Sequence, residues 1–440
     1  MSKIDVLNFE WTSKGRDIHI IEPVLCYLES KGYSVTRESY LFFLWKIIYY
    51  RPQMLILSNS VGSIRNFVAT KFAYKLGIKT VTLCSEGDYC VLNSDDSIDS
   101  FFWGWDLDRD FPVDLHLEWS QKNIALIQEF ASRSDIILDR TKVSGATGFD
   151  RYKMLSFKSK KKFVNQYNLH KYNKIVGYAA WGFDALYDKA FCQAATFNRT
   201  DNYVAFHKEN RGLLREILKQ IIVSNPDVLF ILKRHPGELL YEKTELSGLE
   251  VYNNVLVFMS EETIEDLINV CDLWMAYEST TCMEAWLMNK QTVLINPFPF
   301  DRGRSEIFKG SPVRTDTESL QKDIDTGMVA GFDELRETRK ELINKIVGFS
   351  DGKSYVRAGT YIIEELKKPN RSRRLDGWCV KQIFKETIKA SIYYTGLKKL
   401  PMFKRFIEDC INFEKIYSKT ERDIYTKKYA DAIEKADNIE

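Results

Sequence analysis

Ile231-Leu232-Lys233-Arg234-His235-Pro236 is an apolar β-type run that stops at a basic pair and a His-Pro step. Such a run places phosphate-binding groups at the carboxyl end of a strand. If the strand holds, Lys233 and Arg234 point to opposite faces, so only one of them reaches the phosphate that His235 meets. A histidine donates to a phosphate oxygen from one ring nitrogen, or from both when protonated, and so can offset charge on a departing nucleotide. The stretch Leu273-Trp274-Met275-Ala276-Tyr277-Glu278-Ser279-Thr280-Thr281-Cys282-Met283-Glu284 supplies a partner loop: a short buried strand, a hydroxyl-rich turn and a helix start. Ser279, Thr280 and Thr281 fall where the N–H groups and dipole of a helix N-terminus favour an anion. The plainer alternative is that one hydroxyl caps the helix, with Glu284 as its first-turn carboxylate.

Outward from these loops, apolar strand-like runs alternate with amphipathic helical stretches, the pattern of parallel sheets covered on both faces. A first set of strands is expected at 4–9, 33–36, 54–57, 80–84 and 142–144, with helices at 17–31 and 64–76 closed by Gly32 and Gly77. A charged connector, Lys158-Ser159-Lys160-Lys161-Lys162, precedes a second set at 175–179, 228–232, 255–259, 273–276 and 292–295, followed by helical patterns over 316–368. The expected architecture is α/β: a Rossmann-like acceptor domain over 1–165, a Rossmann-like donor domain over 166–367 and a basic amphipathic helical extension over 368–440. Two doubly wound domains facing a cleft make the GT-B arrangement, with ligands beyond the carboxyl ends of the strands.

Composition sets the outer bounds. At 440 residues the chain is too long for one ordinary core, and 45% hydrophobic with 13% aromatic residues suffices for two. A net charge of +2 gives no global field for nucleic acid. Cysteines 26, 84, 90, 192, 271, 282, 379 and 410 contain no CxxC pair, and five scattered histidines offer no zinc spacing, so reduced buried thiols and no metal are expected. The N-terminal residues run into a strand without signal-peptide zones, and no apolar run reaches the ~20 residues of a membrane helix. A cytoplasmic location is expected.

In Thr82-Leu83-Cys84-Ser85-Glu86-Gly87-Asp88-Tyr89 a β-run ends at carboxylates flanking a glycine that permits a tight turn. Glu86 there could serve as general base toward an acceptor hydroxyl or stabilise an oxocarbenium-like centre, with Asp88 as the alternative carboxylate.

These three elements resemble the acidic-glycine, His-Pro and Ser/Thr motifs of bacterial sialyltransferases and capsule-type Kdo transferases, both users of CMP-activated acidic sugars. The resemblance implies that Glu86-Gly87 belongs to the first domain and that His235-Pro236 and Ser279-Thr280 bind the CMP phosphate from the second. The families carry two acidic residues before the glycine where this chain has Ser85-Glu86, so Glu86 and Asp88 both stand as catalytic candidates.

Further candidates surround these. Glu278 could accept from ribose hydroxyls. Trp181, in Tyr178-Ala179-Ala180-Trp181-Gly182-Phe183, could bring backbone N–H groups to a donor or simply pack. Arg302 and Arg304 could clamp a sugar carboxylate. Trp103, in Phe101-Phe102-Trp103-Gly104-Trp105, could stack on an acceptor sugar or belong to the core. Ser144-Gly145-Ala146-Thr147-Gly148 lacks GxGxxG spacing and reads as interdomain packing.

The extension interleaves lysines and arginines with aromatic and aliphatic residues, a pattern suited either to an anionic membrane surface or to a helix returning onto the first domain. Residues 418–440 alternate charges and read as a solvated or frayed helix.

The reading implied by these features is a glycosyltransferase. It would move Kdo or another nonulosonic acid from a CMP-sugar to a bacterial surface glycan, of capsule or lipopolysaccharide type, with no metal or other cofactor. A CDP-glycerol-type polyol-phosphate transferase and a non-catalytic glycan-binding scaffold are the alternatives.

Overall fold

The computed structural model describes residues 4–59, 64–87, 94–104, 106–188, 201–277, 279–298 and 306–437. Two compact units form, one from 1–89, 98–155 and 345–440, the other from 90–97 and 156–344. Each is built on a six-stranded parallel sheet.

The first sheet comprises β1 (Val6–Glu10), β2 (Val35–Ser39), β3 (Met54–Leu57), β4 (Lys79–Leu83), β5 (Leu115–Glu118) and β6 (Thr141–Val143), in the order β2-β1-β3-β4-β5-β6. Every residue of β1, β3, β4 and β5 is buried, as expected of parallel strands covered on both faces. Side chains alternate between two cores. Val6 and Ile56 face one, which holds Ile21, Val24 and Leu25 of helix α1 (Arg16–Ser30). Leu7, Phe9 and Leu57 face the other, with Leu44 and Ile47 of α2 (Phe43–Tyr50). Gly15 precedes α1 at φ +91°, a backbone region open to glycine, and so lets the chain turn from β1 into the helix. From β1 the chain moves outward to β2 and then crosses back to β3. The β1/β3 boundary is therefore the switch point of this sheet.

The second sheet comprises β7 (Lys174–Ala179), β8 (Val228–Lys233), β9 (Val255–Phe258), β10 (Leu273–Ala276), β11 (Gln291–Ile295) and β12 (Val313–Arg314), in the order β12-β11-β10-β7-β8-β9. Its core joins Tyr178, Phe230, Leu232, Met275 and Val293 to Leu214, Leu218 and Ile221 of α3 (Asp201–Ser224). Here the chain runs β7, β8, β9 to one side and returns to β10 on the other, so the switch point lies between β7 and β10. Helix α4 (Thr281–Leu287) follows β10.

The C-terminal quarter returns to the first unit. Helix α5 (Ser354–Lys367) packs Tyr355, Ala358 and Ile362 into the core under α1, and Gly359 lies against the Tyr27 ring. Residues 345–367, expected with the second domain, thus belong with the first. The reason is that the apolar stripe of α5 is matched by α1. Helices α6 (Gly377–Tyr394), α7 (Lys404–Ile416) and α8 (Lys419–Asp437) follow. The expectation of a solvated or frayed end does not hold for α8: Arg422, Tyr429 and Ile433 are buried, the last two in the α1 core. Residues 147–149, in the loop read as interdomain packing, lie on α1 inside the first unit, where Thr147 donates to the Ile20 carbonyl (2.7 Å).

Candidate functional site

In the second unit, register sets the site. Ala276 of β10 aligns with Ala179 of β7, which aligns with Lys233 of β8, so three neighbouring strands end in one row. Strands lie about 4.8 Å apart, so the loops after β8 and β10 emerge roughly 10 Å apart on either side of the β7 loop. His235 lies two residues past the row and Ser279 three past it. The His235 ring lies close to Gly182 of the β7 loop: a Cβ at Gly182 would meet it at 3.6 Å. His235 Nδ1 accepts from the Gly237 N–H (3.2 Å), which puts the proton of the neutral ring on Nε2 as a donor.

The supporting loops are cross-tied. The Asp184 carboxylate accepts from the Leu239 (2.6 Å) and Leu240 (3.0 Å) N–H groups, fixing the β8 loop to the β7 loop. Buried Glu245 accepts from Tyr178 Oη and from the Trp181 N–H, both at 2.9 Å, and its burial raises its pKa to about 7. Trp181 stacks on His207 of α3 (4.8 Å, 24°), and His207 Nδ1 meets Tyr277 Oη at 3.0 Å. This aromatic wall joins the ends of β7 and β10. The sequence reading missed His207, whose only signal is a histidine within a long amphipathic helix.

Several candidates are committed elsewhere. Lys233 Nζ donates to the backbone carbonyls of Met259 and Glu262 and so anchors the loop after β9. Arg234 pairs with Glu238 (2.5 Å) and lies over the Tyr241 ring. Each of these two cations thus has a protein acceptor within reach. The Trp181 N–H, offered to a donor in the sequence reading, is taken by Glu245. Pro236 is exposed, and its part is to end the run before the turn. Ser279 Oγ accepts from the Thr281 N–H (3.2 Å) and contacts Thr281 Oγ1 (2.9 Å), which in turn accepts from Trp274 Nε1 (3.0 Å). Thr281 is therefore braced inward, while Thr280 is exposed. Glu278, Arg302 and Arg304 lie outside the described residues, as does Asp88 of the first unit.

In the first unit, Glu86 is exposed past the end of β4 and pairs with Arg16 (2.7 Å) at the start of α1. Gly87 lies flat on Trp119, where any Cβ would come within 2.3 Å of the indole. The Trp119 Nε1–H donates to the Cys84 carbonyl (2.8 Å). Below it, buried His116 meets Glu118 (2.9 Å) and Thr82 (2.8 Å), while Asn123 donates to Glu118 (2.7 Å). Trp103 is buried, its indole donating to the Ser132 carbonyl (2.8 Å). It is a core residue and has no open face for a sugar.

The switch point itself holds a carboxylate that the sequence reading passed over. Glu10 ends β1 fully buried, accepting from Asn8 Nδ2 (3.1 Å) and Ser58 Oγ (3.2 Å). Burial, reinforced by Asp17, raises its pKa from 4.5 to about 8. Asp17 is itself raised by burial, against the pull of Arg16 and with a push from Glu86. Glu10, Asp17 and Glu86 therefore collect at the carboxyl ends of this sheet, with Arg16 between the last two. Among the described residues no group of His, Cys, Asp and Glu is arranged to hold a metal ion.

No protein-family model matches the chain, and no curated protein matches it significantly. Solved structures do match. A UDP-N-acetylglucosamine 2-epimerase aligns over 86% of this chain and 100% of its own, at 12% identity and a TM-score of 0.53. S. aureus MnaA, in its complex with UDP, aligns over 84% and 100%, at 13% identity and a TM-score of 0.52. The fold is GT-B. At such identities the likeness fixes the fold and leaves the chemistry to the side chains.

In this GT-B chain Glu10 has a measurable signature. The folded protein keeps the Glu10 proton through neutrality, whereas the unfolded chain releases it above its ordinary pKa of 4.5. The native state thus binds more protons, and the Glu10 contribution to stability falls as pH rises from there toward 8, levelling off above. Glu10→Gln removes that slope. Chemical denaturation should show the variant gaining on wild type by roughly 4 kcal/mol between about pH 5 and 8. Parallel pH profiles would mean that Glu10 is ionised in the fold.

Proposed function

We propose that the chain is a nucleotide-sugar-dependent glycosyltransferase with a CMP-linked nonulosonic acid, Kdo or a relative, as donor and a surface glycan as acceptor. The observation that carries the reading is the row of strand ends that brings the His235 loop and the Ser279–Thr280 turn to either side of β7, at a switch point walled by Trp181 and Tyr277. Ligands of doubly wound sheets bind at such points. In the proposed reaction the bond between the anomeric carbon and the phosphate oxygen breaks, and the electron pair leaves with CMP. His235 Nε2–H donates to the departing phosphate, with Ser279 and Thr280 as further donors. The acceptor hydroxyl forms the new glycosidic bond, and its proton passes to Glu86. The cytidine assignment rests on the resemblance of Glu86-Gly87, His235-Pro236 and Ser279-Thr280 to CMP-sugar enzymes.

A second reading, isomerisation of a UDP-sugar at the same place, is favoured by one structural neighbour being a UDP-N-acetylglucosamine 2-epimerase and the other being in complex with UDP. Incubation with CMP-Kdo, CMP-sialic acid, CDP-glycerol and UDP-N-acetylglucosamine separates the readings. Transfer gives free CMP and a lengthened glycan, whereas isomerisation gives a new UDP-sugar with no acceptor needed. Conversion of UDP-N-acetylglucosamine to another UDP-sugar, with no transfer from any donor, would sink the transferase assignment. With the productive donor, Glu86→Gln should lower kcat by about 10²–10⁴-fold and leave nucleotide binding unchanged. Unchanged kcat would remove Glu86 from the chemistry.

A further inference from the structure

Helix α6 has two unlike faces. The inner one buries Cys379, Glu386 and Ile392 in the first unit, and the Glu386 carboxylate accepts from the Leu44 (2.8 Å) and Trp45 (3.3 Å) N–H groups at the start of α2. The outer one carries Val380, Phe384 and Ile388 one turn apart, 62%, 65% and 44% exposed. Lys381, Lys385 and Lys389 form an exposed stripe beside them. After α6, the turn 396–405 continues the theme, with exposed Leu397, Leu400 and Met402 among four more cations. Helix α2 adds exposed Trp45 and Tyr49.

Single exposed apolar residues are ordinary, but an aligned stripe beside a lysine stripe marks an interaction surface. Its charge narrows the partner. From 371 to 405 ten lysines and arginines, one of them, Arg371, paired with Asp114, stand against two carboxylates, Asp376 and Glu386. Asp376 is paired with Lys75, and Glu386 is turned inward onto α2. A second copy meeting this face symmetrically would set cation against cation. An anionic bilayer satisfies both stripes, with apolar side chains at the headgroup–acyl boundary and lysines at the lipid phosphates.

Orientation adds to this. Tyr394, at the end of α6, contacts Phe42 just before α2 (5.4 Å between rings), and Phe42 follows the end of β2. The turn 396–405 therefore lies toward the carboxyl ends of the first sheet, the end that carries Glu10 and Glu86.

We propose that α6 and the turn after it lie on an anionic lipid surface and hold the carboxyl-end face of the first unit close to the membrane. The inference is independent of which sugar is transferred. Among the described residues no helix is long and apolar enough to cross a membrane, so the contact would be peripheral.

The test is co-sedimentation of the full chain with vesicles containing phosphatidylglycerol and with vesicles of phosphatidylcholine alone. Truncation would not serve, because the C-terminal helices contribute Cys379, Tyr429 and Ile433 to two cores. Wild type should pellet with the anionic vesicles only. The triple variant K381Q/K385Q/K389Q should partition about a hundredfold more weakly, and Phe384→Ser about tenfold more weakly. Both should keep the wild-type melting temperature, since all four positions are exposed. Wild type left in the supernatant, or variants that bind as well as wild type, would overturn the proposal. So would a dimer in sedimentation velocity that Phe384→Ser dissolves in the absence of any vesicle binding.

Discussion

Arg422→Ala is expected to cost about 3–5 kcal/mol, a large part of the ~5–15 kcal/mol that holds a typical domain together. Arg422 is 1% exposed, on a helix that the sequence pattern presents as solvated. Its guanidinium reaches across some 400 residues of chain to donate to Asn8 Oδ1 on β1 and to Glu22 on α1 (3.3 Å). Glu22 has no exposed side-chain surface, and it also accepts from Arg37 Nε (2.7 Å) and Thr426 Oγ1 (2.7 Å). Removing the arginine leaves a buried carboxylate short of one cation and an amide oxygen without its charged donor. In a unit of this size each kcal/mol moves the melting temperature by about 2–4 °C, so a fall of roughly 10 °C is expected. Pairing the change with Glu22→Gln should recover part of the loss, because the stranded charge goes too. A fall of only a degree or two for Arg422→Ala would mean that the C-terminal helix is held by its apolar contacts and its other hydrogen bonds, with little from the Arg422–Glu22 pair.

His235→Ala is the second large effect. The ring is fixed by the Gly237 N–H at Nδ1 and by its packing on Gly182, so its Nε2–H is placed before any donor arrives. A preorganised donor to a leaving phosphate acts mainly in the transition state, and its loss is expected to lower kcat by about 10²–10³-fold. KM should change much less. His235→Gln, which can still donate, should restore part of the rate. If His235→Ala raises KM and leaves kcat alone, the ring binds substrate and transition state equally and has no part in departure of the nucleotide.

Much of the fold was legible because buried parallel strands are continuous apolar runs, as at 54–57 and 228–232. β5 was not, because its sequence, Leu115-His116-Leu117-Glu118, alternates polar residues. Those residues are buried only because His116 and Glu118 bond each other, Thr82 and Asn123. For 368–440 a return onto the first unit was one of two readings, but the burial of α8 and the place of residues 345–367 were hidden for a similar reason: their partners lie at the other end of the chain. In the site, His235 and Ser279 could be read from the motif and the end of a run. Lys233 and Arg234 looked equally good, because nothing local announces that the carbonyls of Met259 and Glu262 and the carboxylate of Glu238 claim them. Glu10 did leave a trace. Asn8 and Glu10 share one face of a strand whose other positions are apolar, and such a pair in a central strand calls for buried partners.

The most direct test of the central claim is thermal stabilisation by CMP, CDP, UDP and GDP, wild type against His235→Ala, since a ligand that binds only the native state raises the melting temperature by mass action. A shift with CMP that exceeds the others and disappears in His235→Ala is the predicted result. A UDP-selective shift lost in the variant would keep the site and transfer the donor to a UDP-sugar. A shift of equal size in the variant, or none from any nucleotide, would contradict the placement of the nucleotide phosphate at His235.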